Sequence, residues 1–120
     1  MNSFELAKTL AKEKFSNAIT SDEAITENKE DLTPNSQDMV RLLSSLIEEI
    51  EAVSFYEQRT EVTEDKAIKD LMIHNRDEEI EHCAMLIEEL RKRSDVWNTN
   101  LKKFLFKEEN SVEIEWNLFS

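Results

Sequence analysis

The chain of 120 residues contains no glycine and only one proline, Pro34. Tight turns between β-strands usually need glycine, because their backbone adopts positive φ angles that other residues disfavour. The lack of glycine therefore argues against a fold made of hairpins. Glu, Lys, Leu, Ala and Ile dominate the composition, as is typical of long helices, and the length suits one domain. The sequence predicts an all-α fold.

A first long helix is predicted from about Pro34 to about Glu61. Thr33 is the expected N-cap, and proline suits the first helical position because its missing N–H is not needed there. The apolar residues of this segment recur at the i, i+3, i+4 and i+7 spacing of one buried face. They are Met39, Leu42, Leu43, Leu46, Ile50 and Val53.

A second long helix is predicted from about Glu64, with Thr63 as its N-cap, to about Arg93. Its apolar stripe consists of Ile68, Leu71, Met72, Leu86 and Leu90. A third and shorter helix follows, and its inward residues are Trp97, Leu101, Phe104 and Leu105. The two long helices are expected to form an antiparallel hairpin.

These elements divide the chain into three predicted parts. Residues 1–31 form an N-terminal extension, with a short helix between Phe4 and Phe15 followed by an acidic linker. Residues 32–107 form the helical hairpin with its short C-terminal helix, and residues 108–120 form a tail. Two helices alone leave one face of their core bare, so we expect a homodimer that closes a four-helix bundle.

Charge and cysteine content restrict the partners and the compartment. The formal net charge of -12 argues against nucleic acid or an anionic membrane as a partner, and suits a protein that attracts cations. No apolar run is long enough to span a bilayer, and the N-terminus lacks the apolar core of a secretory signal. The single cysteine, Cys83, fits a reducing compartment, so a cytoplasmic location is predicted.

Three ionisable residues occupy positions on the apolar stripes where leucine would pack better. Glu49 lies three residues after Leu46 in the first stripe. Glu79 and His82 lie seven and four residues before Leu86 in the second stripe. A buried carboxylate costs several kcal/mol unless it is neutralised or meets a cation. The group therefore requires a compensating positive charge.

A metal ion is the simplest such charge, because Arg59 lies near a helix end and Arg76 lies one turn from the group. Glu79 and His82 form an E-x-x-H unit, whose side chains stand on one helix face and can share a metal ion. One such unit with one glutamate is half of the ligand set of carboxylate di-iron proteins. A two-fold dimer supplies the other half. The sequence thus predicts a di-iron site between two chains, with Glu49 from each.

Other polar residues near this group have two interpretations each. Glu48 and Glu51 either guide cations towards the site or are ordinary surface charge. Tyr56 either hydrogen-bonds a ligand or packs against its neighbours. A row of residues at i, i+4 and i+7 either binds a further divalent cation or is a solvated helix face. The row consists of His74, Glu78 and Glu81.

Two segments of the chain resemble the encapsulated ferritins, the small ferritin-like cargo proteins of encapsulin nanocompartments. They are LIEEIEAVSFYEQR, at 46–59, and HNRDEEIEHCAM, at 74–85. The resemblance extends from about Leu32 to about Phe106. It implies a ferritin-like four-helix bundle made of two chains, and a ring of such dimers, typically a decamer, inside a shell of encapsulin. Two features depart from that family. Phe55 stands where the family has a tryptophan, and the given sequence, which has no glycine, lacks the glycine-containing targeting peptide that the family has at its C-terminus.

The same resemblance implies roles for the polar residues. The ligands of the di-iron centre are Glu49, Glu79 and His82, with Tyr56 beside it. A metal-entry site and a peripheral site lie nearby, and either takes calcium or another divalent cation. The entry site consists of Glu48 and Glu51, and the peripheral site consists of His74, Glu78 and Glu81.

The function that the resemblance implies is a ferroxidase, which oxidises Fe(II) to Fe(III) with O2 for iron storage or detoxification within an encapsulin shell. Two alternatives remain open. A rubrerythrin-like di-metal peroxidase would use the same ligands, although one cysteine cannot build the four-cysteine iron site typical of those proteins. A non-catalytic helical metal-binding or interaction module would satisfy its buried carboxylates with arginine instead.

Overall fold

The computed structural model describes residues 2, 3, 5, 6, 9 and 24–117, and every regular element in these residues is helical. The predicted all-α fold is confirmed, and its two long helices form a hairpin. The predicted helix between Phe4 and Phe15 lies mostly outside the described residues. The elements are a 3-10 turn at Lys29–Asp31, followed by α1 (Pro34–Val62), α2 (Lys66–Arg93), α3 (Asp95–Phe104) and α4 (Ser111–Asn117).

The chain divides into two compact units, Met1–Ile87 and Glu88–Ser120, and the division falls within α2. The first unit contains α1 and most of α2, joined by the three residues 63–65. The second unit contains the last turns of α2 together with α3 and α4. None of the helices in the described part of the chain combines the length and the apolar character needed to cross a lipid bilayer.

The N-terminus of α1 is built as the sequence predicts. Thr33 has an extended backbone, and its hydroxyl oxygen accepts a hydrogen bond from the backbone N–H of Ser36 at 3.1 Å. Pro34 occupies the first turn. The side-chain amide of Gln37 donates to the backbone carbonyls of Lys29 and Leu32, each at 3.2 Å, and so ties the 3-10 turn to the helix. These local bonds fix where α1 begins.

The predicted N-cap of α2 is wrong. Thr63 ends α1, and its backbone N–H donates to the carbonyl of Arg59 at 3.0 Å. Asp65 caps α2 instead, since its carboxylate accepts from the backbone N–H of Ile68 at 3.1 Å, and the helix begins at Lys66. Threonine and aspartate both cap helices well, but the negative charge of aspartate also interacts favourably with the positive end of the helix dipole.

The hairpin leaves much of its apolar surface exposed. Of the described residues, only Leu46 and Leu90 are buried apolar side chains. Three members of the predicted stripes stay about half exposed, namely Ile50 at 54%, Ile68 at 49% and Leu71 at 53%. Large exposed apolar patches are typical of interaction surfaces in proteins. The expectation that two helices cannot close a core therefore agrees with the structure of the single chain.

The C-terminal region contains a helix that the periodicity did not predict. Asn110 precedes it, and the side-chain oxygen of Asn110 accepts from the N–H of Val112 at 2.9 Å. The helix spans seven residues, too few to show a repeating apolar pattern. Before it, Phe106 has a φ of 59°, a left-handed conformation that glycine would adopt more readily.

Replacing Asp65 with alanine should lower the free energy of unfolding by about 1 kcal/mol, because α2 loses its capping oxygen. Asp65→Asn keeps a capping oxygen and should remain close to the wild type. Thr63→Ala should cost less than Asp65→Ala. Urea denaturation followed by circular dichroism, at one fixed protein concentration, measures all three. Equal losses in the two alanine variants would contradict the assignment of the cap.

Candidate metal centre

The three residues singled out on the apolar stripes meet at the middle of the hairpin. Glu49 projects from α1, and Glu79 and His82 project from α2. One ligand atom from each residue lies within 4.8 Å of the others. The Nδ1 atom of His82 is 3.4 Å from Oε2 of Glu49 and 3.4 Å from Oε2 of Glu79. Two residues of the E-x-x-H unit and a glutamate from the other helix thus form one cluster.

The spacing of these atoms suits a metal ion. Nitrogen and oxygen ligands bind a transition-metal ion at about 2.1 Å, so two ligands of one ion are about 3–4 Å apart. Both separations from His82 fall in that range, and the ligand atoms of the two carboxylates lie within 4.8 Å of each other. Carboxylate and imidazole are the donors that iron accepts in proteins. The three side chains leave coordination positions for solvent, a second ion or further ligands.

The cluster has more negative than positive charge. The side chains of Glu49 and Glu79 are only 27% and 24% exposed, whereas His82 is 49% exposed. Among the described residues, His82 is the only ion-pair partner within 4.0 Å of either carboxylate. Two half-buried carboxylates close together favour a cation between them.

The two arginines named from the sequence have other partners. Arg76 pairs with Glu57 at 3.2 Å and with Asp77 at 3.1 Å. The guanidinium of Arg59 lies over the rings of Phe55 and Tyr56, at 5.7 Å and 5.8 Å from their centres. The pair between Arg76 and Glu57 links α2 to α1, and the sequence analysis did not find it. Its partners lie 19 residues apart in two helices, so no local pattern reveals it.

The remaining predicted site residues lie around the cluster without joining it. Glu48 is exposed and Glu51 is half-buried, each on a different side of α1 from Glu49. In the predicted peripheral row, Nε2 of His74 is 3.0 Å from Oε1 of Glu78, and both side chains are exposed. The third member, Glu81, is exposed as well.

Cys83 follows His82 directly and lies one turn after Glu79. The structure gives Cys83 a half-buried position. Burial raises the pKa of the Cys83 thiol, and the nearby charge of Glu79 raises it further. In the sequence, Cys83 follows Glu79 by four residues, a spacing that places the two side chains on the same face of a helix.

The part of the chain that contains this cluster is similar to known proteins. Residues 24–108 match a family model described as EncFtn-like. A ferritin-like protein of Thermotoga maritima is 47% identical over 85 residues, which are 71% of this chain and 75% of that protein. An encapsulated ferritin-like protein of Rhodospirillum rubrum is 41% identical over 62% of this chain, and the match spans 54% of its own length.

A crystal structure of a protein from Nitrosomonas europaea has a similar fold. Its TM-score is 0.69 at 41% sequence identity, and the match covers 72% of this chain and 94% of that one. The matched family region, residues 24–108, includes Glu49, Glu79 and His82.

Glu79→Gln should make Cys83 more reactive, because the substitution removes a negative charge that raises the thiol pKa. A higher pKa lowers the thiolate fraction at pH 8, and the thiolate is the reacting form. We therefore expect alkylation of the folded, metal-free protein to be faster in Glu79→Gln than in the wild type. Glu81→Gln, on the opposite side of α2 from Cys83, is the control. Equal rates in both variants would contradict the influence of the Glu79 charge on the Cys83 thiol.

Proposed function

This chain belongs to the EncFtn-like family, and on that premise we propose that it is a ferroxidase. It oxidises Fe(II) to Fe(III) with O2 at a di-iron site shared by two copies of the chain. The observation that carries the proposal is the cluster of Glu49, Glu79 and His82, whose ligand atoms lie within 4.8 Å of one another with no arginine or lysine paired to them among the described residues.

Each chain holds half of a carboxylate di-iron ligand set, and a two-fold related chain supplies the other half. The exposed side of α2 supports this arrangement. Leu71 lies eleven residues before His82, which places the two side chains within about 20° of each other around the helix. His82 and Leu71 are both about half exposed. A partner chain that covers Leu71 would therefore also lie against the metal ligands.

Iron is the substrate in this proposal. Two Fe(II) ions give up two electrons, which with two protons reduce one O2 molecule to hydrogen peroxide. Glu49, Glu79 and His82 hold the ions close together, and their carboxylates stabilise the higher charge of Fe(III). The net charge of -12 draws Fe(II) towards the protein, an attraction that salt weakens.

The surrounding polar residues take supporting roles in this proposal. Glu48 and Glu51 form the entry site, and Tyr56 lies beside the centre. The exposed pair of His74 and Glu78 binds calcium or another divalent cation with Glu81, since carboxylates on a solvated helix bind such ions weakly and reversibly.

We propose that residues 32–107 form the ferritin-like domain, between an N-terminal extension and a C-terminal tail. The relative from Rhodospirillum rubrum is named as an encapsulated protein. By that likeness we propose that this chain acts in the cytoplasm inside an encapsulin shell, as a ring of dimers, and that the ring is a decamer. An open ring encloses no cavity, so storage of the oxidised iron depends on the shell.

Two other functions fit less well. Rubrerythrin-like peroxidases typically carry a four-cysteine iron site, and this chain has one cysteine. A non-catalytic module would pair its carboxylates with arginine. In the described residues, the arginine nearest to the cluster in sequence, Arg76, pairs with Glu57 and Asp77 instead.

The proposal predicts a fast phase of aerobic Fe(II) oxidation that saturates at about two iron ions per dimer. Glu49→Ala/His82→Ala should slow this phase by at least about 100-fold, because even the loss of an outer-shell partner costs 10- to 100-fold at metal sites. Absorbance of Fe(III) in a stopped-flow instrument measures it. His74→Ala removes a histidine from the same helix and should keep the fast phase. Equal loss in both variants would mean that the reaction occurs at another site.

Leu71→Gln should shift the protein towards the monomer and remove paired iron binding, because it weakens the interface that completes the ligand set. Ile80→Gln is the matched control. Ile80 has a similar exposure, 47%, but lies about 160° around α2 from His82. Light scattering coupled to size exclusion gives the mass, and titration gives the iron stoichiometry. Paired iron binding by monomeric Leu71→Gln protein would refute a site shared between chains.

A further inference from the structure

Arg76 lies three residues before Glu79 on α2, a spacing at which helical side chains are neighbours. A guanidinium at this position would ordinarily pair with the carboxylate of the next turn. In the structure, its ion pairs within the described residues are with two other carboxylates. Nη1 of Arg76 is 3.2 Å from Oε1 of Glu57, and Nε and Nη2 each donate to Oδ1 of Asp77 at 3.1 Å.

These two carboxylates direct Arg76 away from the metal ligands. Glu57 lies eight residues after Glu49, which turns it about 80° around α1 from the side that carries Glu49. The side chain of Arg76 is only 24% exposed, whereas those of Glu57 and Asp77 are 56% and 60% exposed. The guanidinium is therefore held between the helices by partners at the surface.

A cation held next to Glu79 would oppose metal binding. Arginine keeps its charge at every relevant pH, and the hydrogen bonds that Arg76 donates to Asp77 raise the pKa of Arg76 further. If the guanidinium moved to Glu79, it would neutralise a carboxylate that the ion needs and repel the ion itself. The position of this one charge thus decides whether Glu79 is available.

We propose that Glu57 and Asp77 are positioning residues, which hold Arg76 away from Glu79 and so keep this carboxylate available to the metal ion. The inference rests on the proposed function in that it takes Glu79 to be a metal ligand. It assigns a role to three charged residues that are not themselves ligands.

The experiment uses Co(II), which O2 does not oxidise in this setting, as the probe on the full chain. Glu57→Gln/Asp77→Asn should weaken Co(II) binding by about three- to tenfold, as expected for a unit charge moved to about 5 Å from a solvated carboxylate, where the dielectric constant is close to that of water. Arg76→Gln alone should leave the affinity within about twofold. The triple variant, Glu57→Gln/Arg76→Gln/Asp77→Asn, should recover the affinity of the wild type, because the competing cation is gone.

Glu61→Gln/Asp70→Asn is the control for net charge. It removes one carboxylate from each of the same two helices, and neither is an ion-pair partner of Arg76. The control should bind Co(II) more tightly than Glu57→Gln/Asp77→Asn. Equal weakening of the two double variants would overturn the inference. A triple variant that stays weak would also overturn it, because the pair would then act only as a clamp between the helices.

A second readout separates this inference from the proposed function. In the metal-free Glu57→Gln/Asp77→Asn variant, a crystal structure should show the Arg76 guanidinium within 4 Å of the Glu79 carboxylate, the distance of an ion pair. A guanidinium that still points away from Glu79 would overturn the inference. Failure of the wild type to bind Co(II) would overturn the proposed function, while the position of Arg76 in the variant would still decide the inference.

Discussion

Two carboxylates that share one imidazole dominate the centre of this hairpin. Glu49 and Glu79 are each about a quarter exposed, and His82 lies 3.4 Å from both. Carboxylates so placed repel each other and lose part of their hydration, which destabilises the fold unless a cation joins them. Leucine at these positions would stabilise the hairpin more. The positions therefore make physical sense as a binding site for a cation and little sense as packing.

The helices that carry this cluster must hold it without help from a large core. A three-residue connection fixes how α1 meets α2, and caps at Thr33 and Asp65 define where each helix starts. The lack of glycine keeps both helices stiff across their length. In the described residues only two apolar side chains are buried, so most of the apolar surface of the single chain stays at least partly exposed.

Sequence reasoning found the features that depend on local spacing. The all-α fold, the cap at Thr33 and the grouping of Glu49 with Glu79 and His82 follow from the period of the helix. It chose the wrong N-cap for α2, because Thr63 and Asp65 are both good capping residues. It also failed where the contact joins distant residues. The pairing of Arg76 with Glu57 depends on the register of two helices and the reach of long side chains, which a single sequence does not define.

Histidine and glutamate lie close together in two places on α2, at His74 and Glu78 and at the central cluster. An ion bound at each place would affect the stability of the fold differently. His74 and Glu78 lie on one helix in solvent, so an ion bound there would stabilise only a single turn. The central cluster draws its ligands from both α1 and α2. An ion bound there would tie the two helices together at their midpoints, and its binding energy would add to the stability of the fold. Under the proposed function, folding and iron binding are therefore linked at the central cluster, and the repulsion between its carboxylates in the metal-free protein is the cost of that link.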